Sequence, residues 1–119
     1  MASVTVFHNP KCSKSRGACQ ILEDRGVEFD SVQYLKTPPT RGEILALLGI
    51  LDDPPAALVR KDPYFRELGL GADDYETPEA VADLLSEHPR LMERPVIVMD
   101  GRAVIGRPPE RVLELLEQN

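Results

Sequence analysis

The chain of 119 residues carries a net charge of −6, with 42% hydrophobic and 29% charged residues, the balance of one ordinary folded domain and not of a disordered or fibrous chain. The acidic excess argues against nucleic acid or an anionic membrane as a partner, and no apolar run is long enough to span a bilayer. Two cysteines without a signal peptide make no disulfide framework, so the expected location is the cytoplasm.

Val4, Val6 and Phe7 read as a short buried strand. The next stretch, H-N-P-K-C-S-K-S-R from His8 to Arg16, runs into a helical pattern with Ala18, Cys19 and Leu22 on one face and Arg25-Gly26 as its stop. Pro10 disfavours helix at Asn9, so the turn finishes before the helix starts. Cys12 is therefore expected at the helix N-terminus, where unpaired N–H groups and the dipole favour negative charge. Lys11, Lys14 and Arg16 add cations in the sequence around it. These conditions lower a thiol pKa from about 8.5 into the range of roughly 3.5–7.5 and make a nucleophile. The motif is C-x-x-S, a dithiol redox motif without its second sulfur. Cys19 does not replace that sulfur: seven helical residues rise about 10.5 Å, against the Cα separation of roughly 4.4–6.8 Å that a disulfide needs. Cys19 reads as core. The sixth residue after Cys12 is Ala18, so the arginine of a C-x-x-x-x-x-R anion loop is missing and any bound anion needs groups from elsewhere.

Val27–Tyr34 is the second strand expected, with Phe29, Val32 and Tyr34 as its apolar positions. Strand, helix and strand at these lengths form a right-handed unit with parallel strands. Thr40-Arg41-Gly42-Glu43 has the form of a capping box opening a helix with Ile44, Leu45, Leu47 and Leu48. Short helical turns containing L-V-R-K follow, and Thr77-Pro78 starts another helix through Val81, Leu84 and Leu85. The segment of roughly 40–88 is thus helical. Val96–Met99 and Ala103–Ile105 flank Asp100-Gly101, a two-residue hairpin signal. Gly106-Arg107-Pro108-Pro109 then turns into a last helix carrying Val112, Leu113, Leu115 and Leu116. The predicted order is β-α-β, a helical insertion, then β-β-α: an α/β chain on a thioredoxin-like plan, one domain over residues 1–119.

Three arginines stand out by location. Arg60 lies in the helical insert, Arg94 precedes Pro95 and the third strand, and Arg107 follows the fourth. An antiparallel hairpin brings the last two to the same end of the sheet, and a planar guanidinium suits an oxyanion. Arg25, Arg41, Arg66, Arg90, Arg102 and Arg111 are expected to be solvated surface. The histidines and cysteines have no metal-ligand spacing, and no bound cofactor is expected.

H-N-P-K-C-S-K-S-R, L-V-R-K, E-R-P-V-I-V and I-G-R-P-P-E, in this order and spacing, resemble the glutaredoxin-linked arsenate reductase (ArsC) family over nearly the whole chain. The resemblance implies that Cys12 is the nucleophile toward arsenate or a similar oxyanion. It implies that Arg60, Arg94 and Arg107 bind that oxyanion, and that His8 and Ser15 favour the thiolate. Pro95 would match the cis-proline that faces the active cysteine in thioredoxin-like folds. Longer members carry a tail beyond the last helix, and ending at Asn119 places this chain, as an expectation, near the short housekeeping-like branch. Reducing arsenate takes two electrons, and one disulfide supplies them. With Cys19 out of reach the second thiol comes from solution, which glutathione and glutaredoxin provide in the family. Two other readings stay open: a monothiol glutaredoxin-like oxidoreductase, which has no need of Arg60 and Arg107, and a non-enzymatic redox or transcription regulator, against which Ser15 in place of a second cysteine argues.

Overall fold

A computed structural model describes residues 4–116, in which β1 (Val4–His8), α1 (Ser13–Asp24), β2 (Asp30–Gln33), α2 (Arg41–Ile50), α3 (Pro63–Glu67), α4 (Pro78–Glu87), β3 (Val96–Met99), β4 (Arg102–Ile105) and α5 (Val112–Leu116) follow one another, with short 3₁₀ turns between them. The chain divides into two compact units, one drawn from 1–37 and 94–119 and the other from Pro38–Glu93.

The first unit has the thioredoxin-like plan. Its sheet runs β2-β1-β3-β4, with β1 parallel to β2 and antiparallel to β3, and β3 antiparallel to β4. Because side chains alternate along a strand, Val6, Ile97 and Val104 line up across three strands on one face. Ala18 and Leu22 of α1 and Val112 and Leu115 of α5 join them in one buried cluster. The β3–β4 turn needs two left-handed residues in succession, and Asp100 (φ 52°) with Gly101 (φ 76°) supplies them.

The second strand is shorter than the sequence pattern implies. The amide of Gly26 (φ 70°) donates to Glu23 O and that of Val27 to Leu22 O, at 3.0 and 2.9 Å. This left-handed helix ending claims Val27, which packs with Phe29 against the core beneath the sheet. Only Asp30–Gln33 pair as strand.

In the second unit, Thr40 and Glu43 form the reciprocal capping box, and Thr77 caps α4 through Ala80 N. Ile44, Leu47 and Leu48 of α2 and Val81, Leu84 and Leu85 of α4 are buried where the two helices pack. An isolated bridge, Val59 with Met92, ties the segment ahead of Arg60 to the one ahead of Arg94.

Candidate active site

Asn9 sets up the turn around Cys12. Its side-chain Oδ1 accepts from Lys11 N at 3.0 Å, its carbonyl from Cys12 N at 3.0 Å, and its own amide donates to Ser15 Oγ at 3.3 Å. Ser15 is fully buried. The turn delivers Cys12 as the N-cap of α1 in extended conformation (φ −95°, ψ 124°).

The thiol makes no side-chain cap hydrogen bond, yet its surroundings favour the thiolate more than water does. Burial acts to raise its pKa, but the amide N–H of Ser15, the guanidinium of Arg94 and the amide N–H of Lys14 outweigh it. The value falls from the ordinary 9.0 to about 7. Ser15 thus serves the sulfur through its backbone, while its hydroxyl holds Asn9. The neighbouring cations contribute differently from what their sequence positions imply: Lys11 and Lys14 are exposed, and Arg16 turns its Nη1 to Pro10 O at 2.9 Å. The positive charge at the sulfur comes from the far end of the chain.

That charge is delivered by the hairpin register. Val96 pairs with Ile105, and Gly106 N donates to Pro95 O at 2.8 Å, so Arg94 and Arg107 fall opposite one another just beyond the strands. Arg107 Nη1 lies 3.9 Å from Cys12 Sγ and donates to Arg94 O at 3.0 Å. Arg94 is half-buried and hydrogen-bonded through its side chain to both Cys12 and Tyr34. Burial alone would lower the Arg94 pKa; Tyr34 and Cys12 raise it instead. The Arg94–Pro95 bond is cis, as is Arg107–Pro108. Arg60 belongs to the second unit, where Nη1 pairs with Glu93 Oε1 at 3.1 Å and Nε with Asp62 Oδ2 at 3.4 Å.

His8 Nδ1 lies 3.7 Å from the sulfur of Cys19. Burial, then the charge of Arg16, holds the imidazole below its usual 6.5, so it is neutral at neutral pH. Burial, then Glu23, pushes the Cys19 thiol up. The two cysteines are therefore set apart chemically, one poised as thiolate and the other kept protonated. Among the described residues, no three His, Cys, Asp or Glu side chains come together to hold a metal ion, and no helix is long and apolar enough to cross a membrane.

Tyr34 escapes a sequence reading that counts it as one more apolar strand position. The available signal is that a buried tyrosine must find a partner for its hydroxyl. Arg111, expected at the surface, is half-buried and donates from Nη1 to Ile105 O at 3.1 Å.

A thioredoxin-like sheet thus brings together one cysteine of lowered pKa and two convergent arginines. The ArsC family model matches residues 7–115, and the chain belongs to the ArsC family. It is 43% identical to the uncharacterised protein YfgD of Escherichia coli, over 95% of this chain and 96% of that one. It is 38% identical to an arsenate reductase of Neisseria meningitidis, over 98% of this chain and 100% of that one. The solved arsenate reductase from Vibrio cholerae superposes with a TM-score of 0.85 at 42% identity, covering 94% and 96% of the two chains.

Proposed function

We propose that the chain is an arsenate reductase that uses Cys12 as nucleophile and an external thiol as its second source of electrons. The observation that carries the reading is the Cys12 sulfur at the start of α1, faced by the guanidinium groups of Arg94 and Arg107. In the proposed reaction the Cys12 thiolate displaces water from As(V), and the arginines hold the anionic adduct as charge shifts onto its oxygens. A glutathione thiol then attacks; the two sulfurs join in a disulfide, the arsenic takes up the electron pair, and arsenite leaves. A glutaredoxin resolves the mixed disulfide. The net change is arsenate plus two thiols to arsenite, one disulfide and water. Arg60 enters as a third oxyanion ligand on family resemblance alone. The raised pKa of Cys19 supports an external rather than an internal resolving thiol. His8, which faces the sulfur of Cys19, would favour the Cys12 thiolate only indirectly, through the shared turn. A cytoplasmic setting follows from the need for reduced glutathione.

The test is arsenite formation from arsenate with glutathione and glutaredoxin, against the Cys12→Ser variant. Turnover that vanishes in the variant is the expected result. No arsenite with either a glutaredoxin or a thioredoxin system would overturn the reading, and turnover with thioredoxin alone would overturn its finer part.

A further inference from the structure

We propose that Tyr34 is a positioning residue of the thiol site, its buried hydroxyl fixing the Arg94 guanidinium in the orientation that faces Cys12. The inference rests on the reading of Cys12 as nucleophile and Arg94 as its partner.

Tyr34 follows directly on β2, whose register pairs Gln33 with His8, so it stands level with Asn9, where the turn to Cys12 begins. Its exposure is 0%, and it heads the fully buried side chains by volume. A phenol so placed cannot take its hydrogen bond from solvent; it is bonded to Arg94, and Arg94 in turn to Cys12. The arginine stem is long and rich in rotamers, so an unrestrained Arg94 would sample many directions. Here its head is drawn by two acceptors, Tyr34 Oη and Cys12 Sγ, while its backbone carbonyl is held by Arg107 Nη1 at 3.0 Å. The chemistry of the holder matters as much as its place. A carboxylate in the position of Tyr34 would neutralise Arg94 and compete with any oxyanion for its donors. A protonated phenol would accept an N–H and leave the guanidinium charge for the thiolate and for an incoming anion. The place of Tyr34 in the sheet suits this role, because a tyrosine at the end of an edge strand brings a fixed acceptor against a side chain that enters from the other edge of β1.

The experiment is a titration of Cys12 by its alkylation rate in Tyr34→Phe, which keeps the ring and its packing. The pH of half-maximal rate is expected to move up from about 7 toward 9.0, with a several-fold slower rate at neutral pH in a chain that stays folded, its denaturation midpoint lowered modestly by the lost buried hydrogen bond. In an Arg94→Ala background, Tyr34→Phe is expected to move the titration no further, because the phenol acts through the arginine. An unshifted titration in Tyr34→Phe, or an equal shift in both backgrounds, would overturn the proposal. As a check that needs no substitution, the guanidinium nitrogens of Arg94 are expected to show hindered rotation by NMR in the unaltered chain; free rotation would also overturn it. None of these measurements involves arsenate. A chain inactive on arsenate with a Tyr34-dependent titration would refute the reductase reading alone, and a Cys12 that titrates near 9.0 in the unaltered chain would refute the site on which both depend.

Discussion

Arg107 and Arg94 are joined through a backbone oxygen: Nη1 of the first donates to the carbonyl of the second at 3.0 Å, from a position 3.9 Å from Cys12 Sγ. Like-charged side chains repel, and the carbonyl dipole between them offsets part of that cost while aiming both at one sulfur. Removing either donor is expected to lower arsenate turnover by about 10²–10³, the usual loss for a group that stabilises a developing oxyanion. Arg→Lys is expected to restore little, since lysine lacks the planar fork. Arg25→Ala and Arg66→Ala, both at exposed positions, serve as controls and should retain turnover.

Cys12 should alkylate with an apparent pKa of about 7. The groups that lower it are fixed amides and a half-buried arginine, which salt screens weakly. Raising ionic strength is therefore expected to move the titration little, and Lys11→Ala and Lys14→Ala should leave it nearly in place. A large salt dependence, measured by alkylation at several ionic strengths, would return the effect to the exposed lysines.

The same shift has a consequence for stability. Cys12 ionises more readily in the fold than in the unfolded chain, where 9.0 applies, so the unfolded state binds more protons between about 7 and 9.0. Stability from this group is fully present above 9.0 and is lost as pH falls through about 7. Denaturant unfolding across that window should show stability rising with pH, and Cys12→Ser should flatten the rise.

Much of this architecture is legible in local chemistry. Asp100-Gly101, the Thr40–Glu43 box and Thr77-Pro78 each satisfy a backbone requirement within a few residues, and each forms as expected. Cys12 at the start of α1 follows from Pro10 in the same way. Relationships carried by tertiary contact are not legible. The lysines lie beside Cys12 in sequence, yet Arg94 and the amides lower its pKa. Tyr34 reads as hydrophobic because its polar partner comes from β3's leading edge. Val27 and Phe29 have strand-like side chains, but the helix ending at Gly26 uses them first.

Gly106 is a steric key to the arginine pair. A Cβ there would stand 2.8 Å from Pro95 Cγ and 2.9 Å from Ile97 Cδ1, too close unless the Pro95 ring and the buried Ile97 side chain shift. Gly106→Ala is expected to destabilise by about 1–3 kcal/mol, the range for overpacking a filled core. Denaturant midpoints check the stability, and thiol titration should show whether the displacement of Pro95 reaches Arg94.

If the second thiol is external, Cys19→Ala should turn over arsenate at nearly the parent rate, with a modest stability loss from the small cavity. Intact mass after reaction with arsenate and glutathione should show one glutathione on Cys12, removed by glutaredoxin. An internal Cys12–Cys19 disulfide by peptide mapping, with Cys19→Ala inactive, would replace the external thiol with an unwinding of α1.

The sheet places β1 between β2 and β3, and β3 arrives only after the whole of Pro38–Glu93 has been made. During synthesis one edge of β1 therefore stays open until residue 96 emerges, and Arg94 and Arg107 reach the sulfur last. A nascent chain carries an ordinary, mostly protonated thiol at Cys12. The amides of Ser15 and Lys14 come with α1 itself, so closure of the sheet adds only the arginine share of the thiolate's stabilisation.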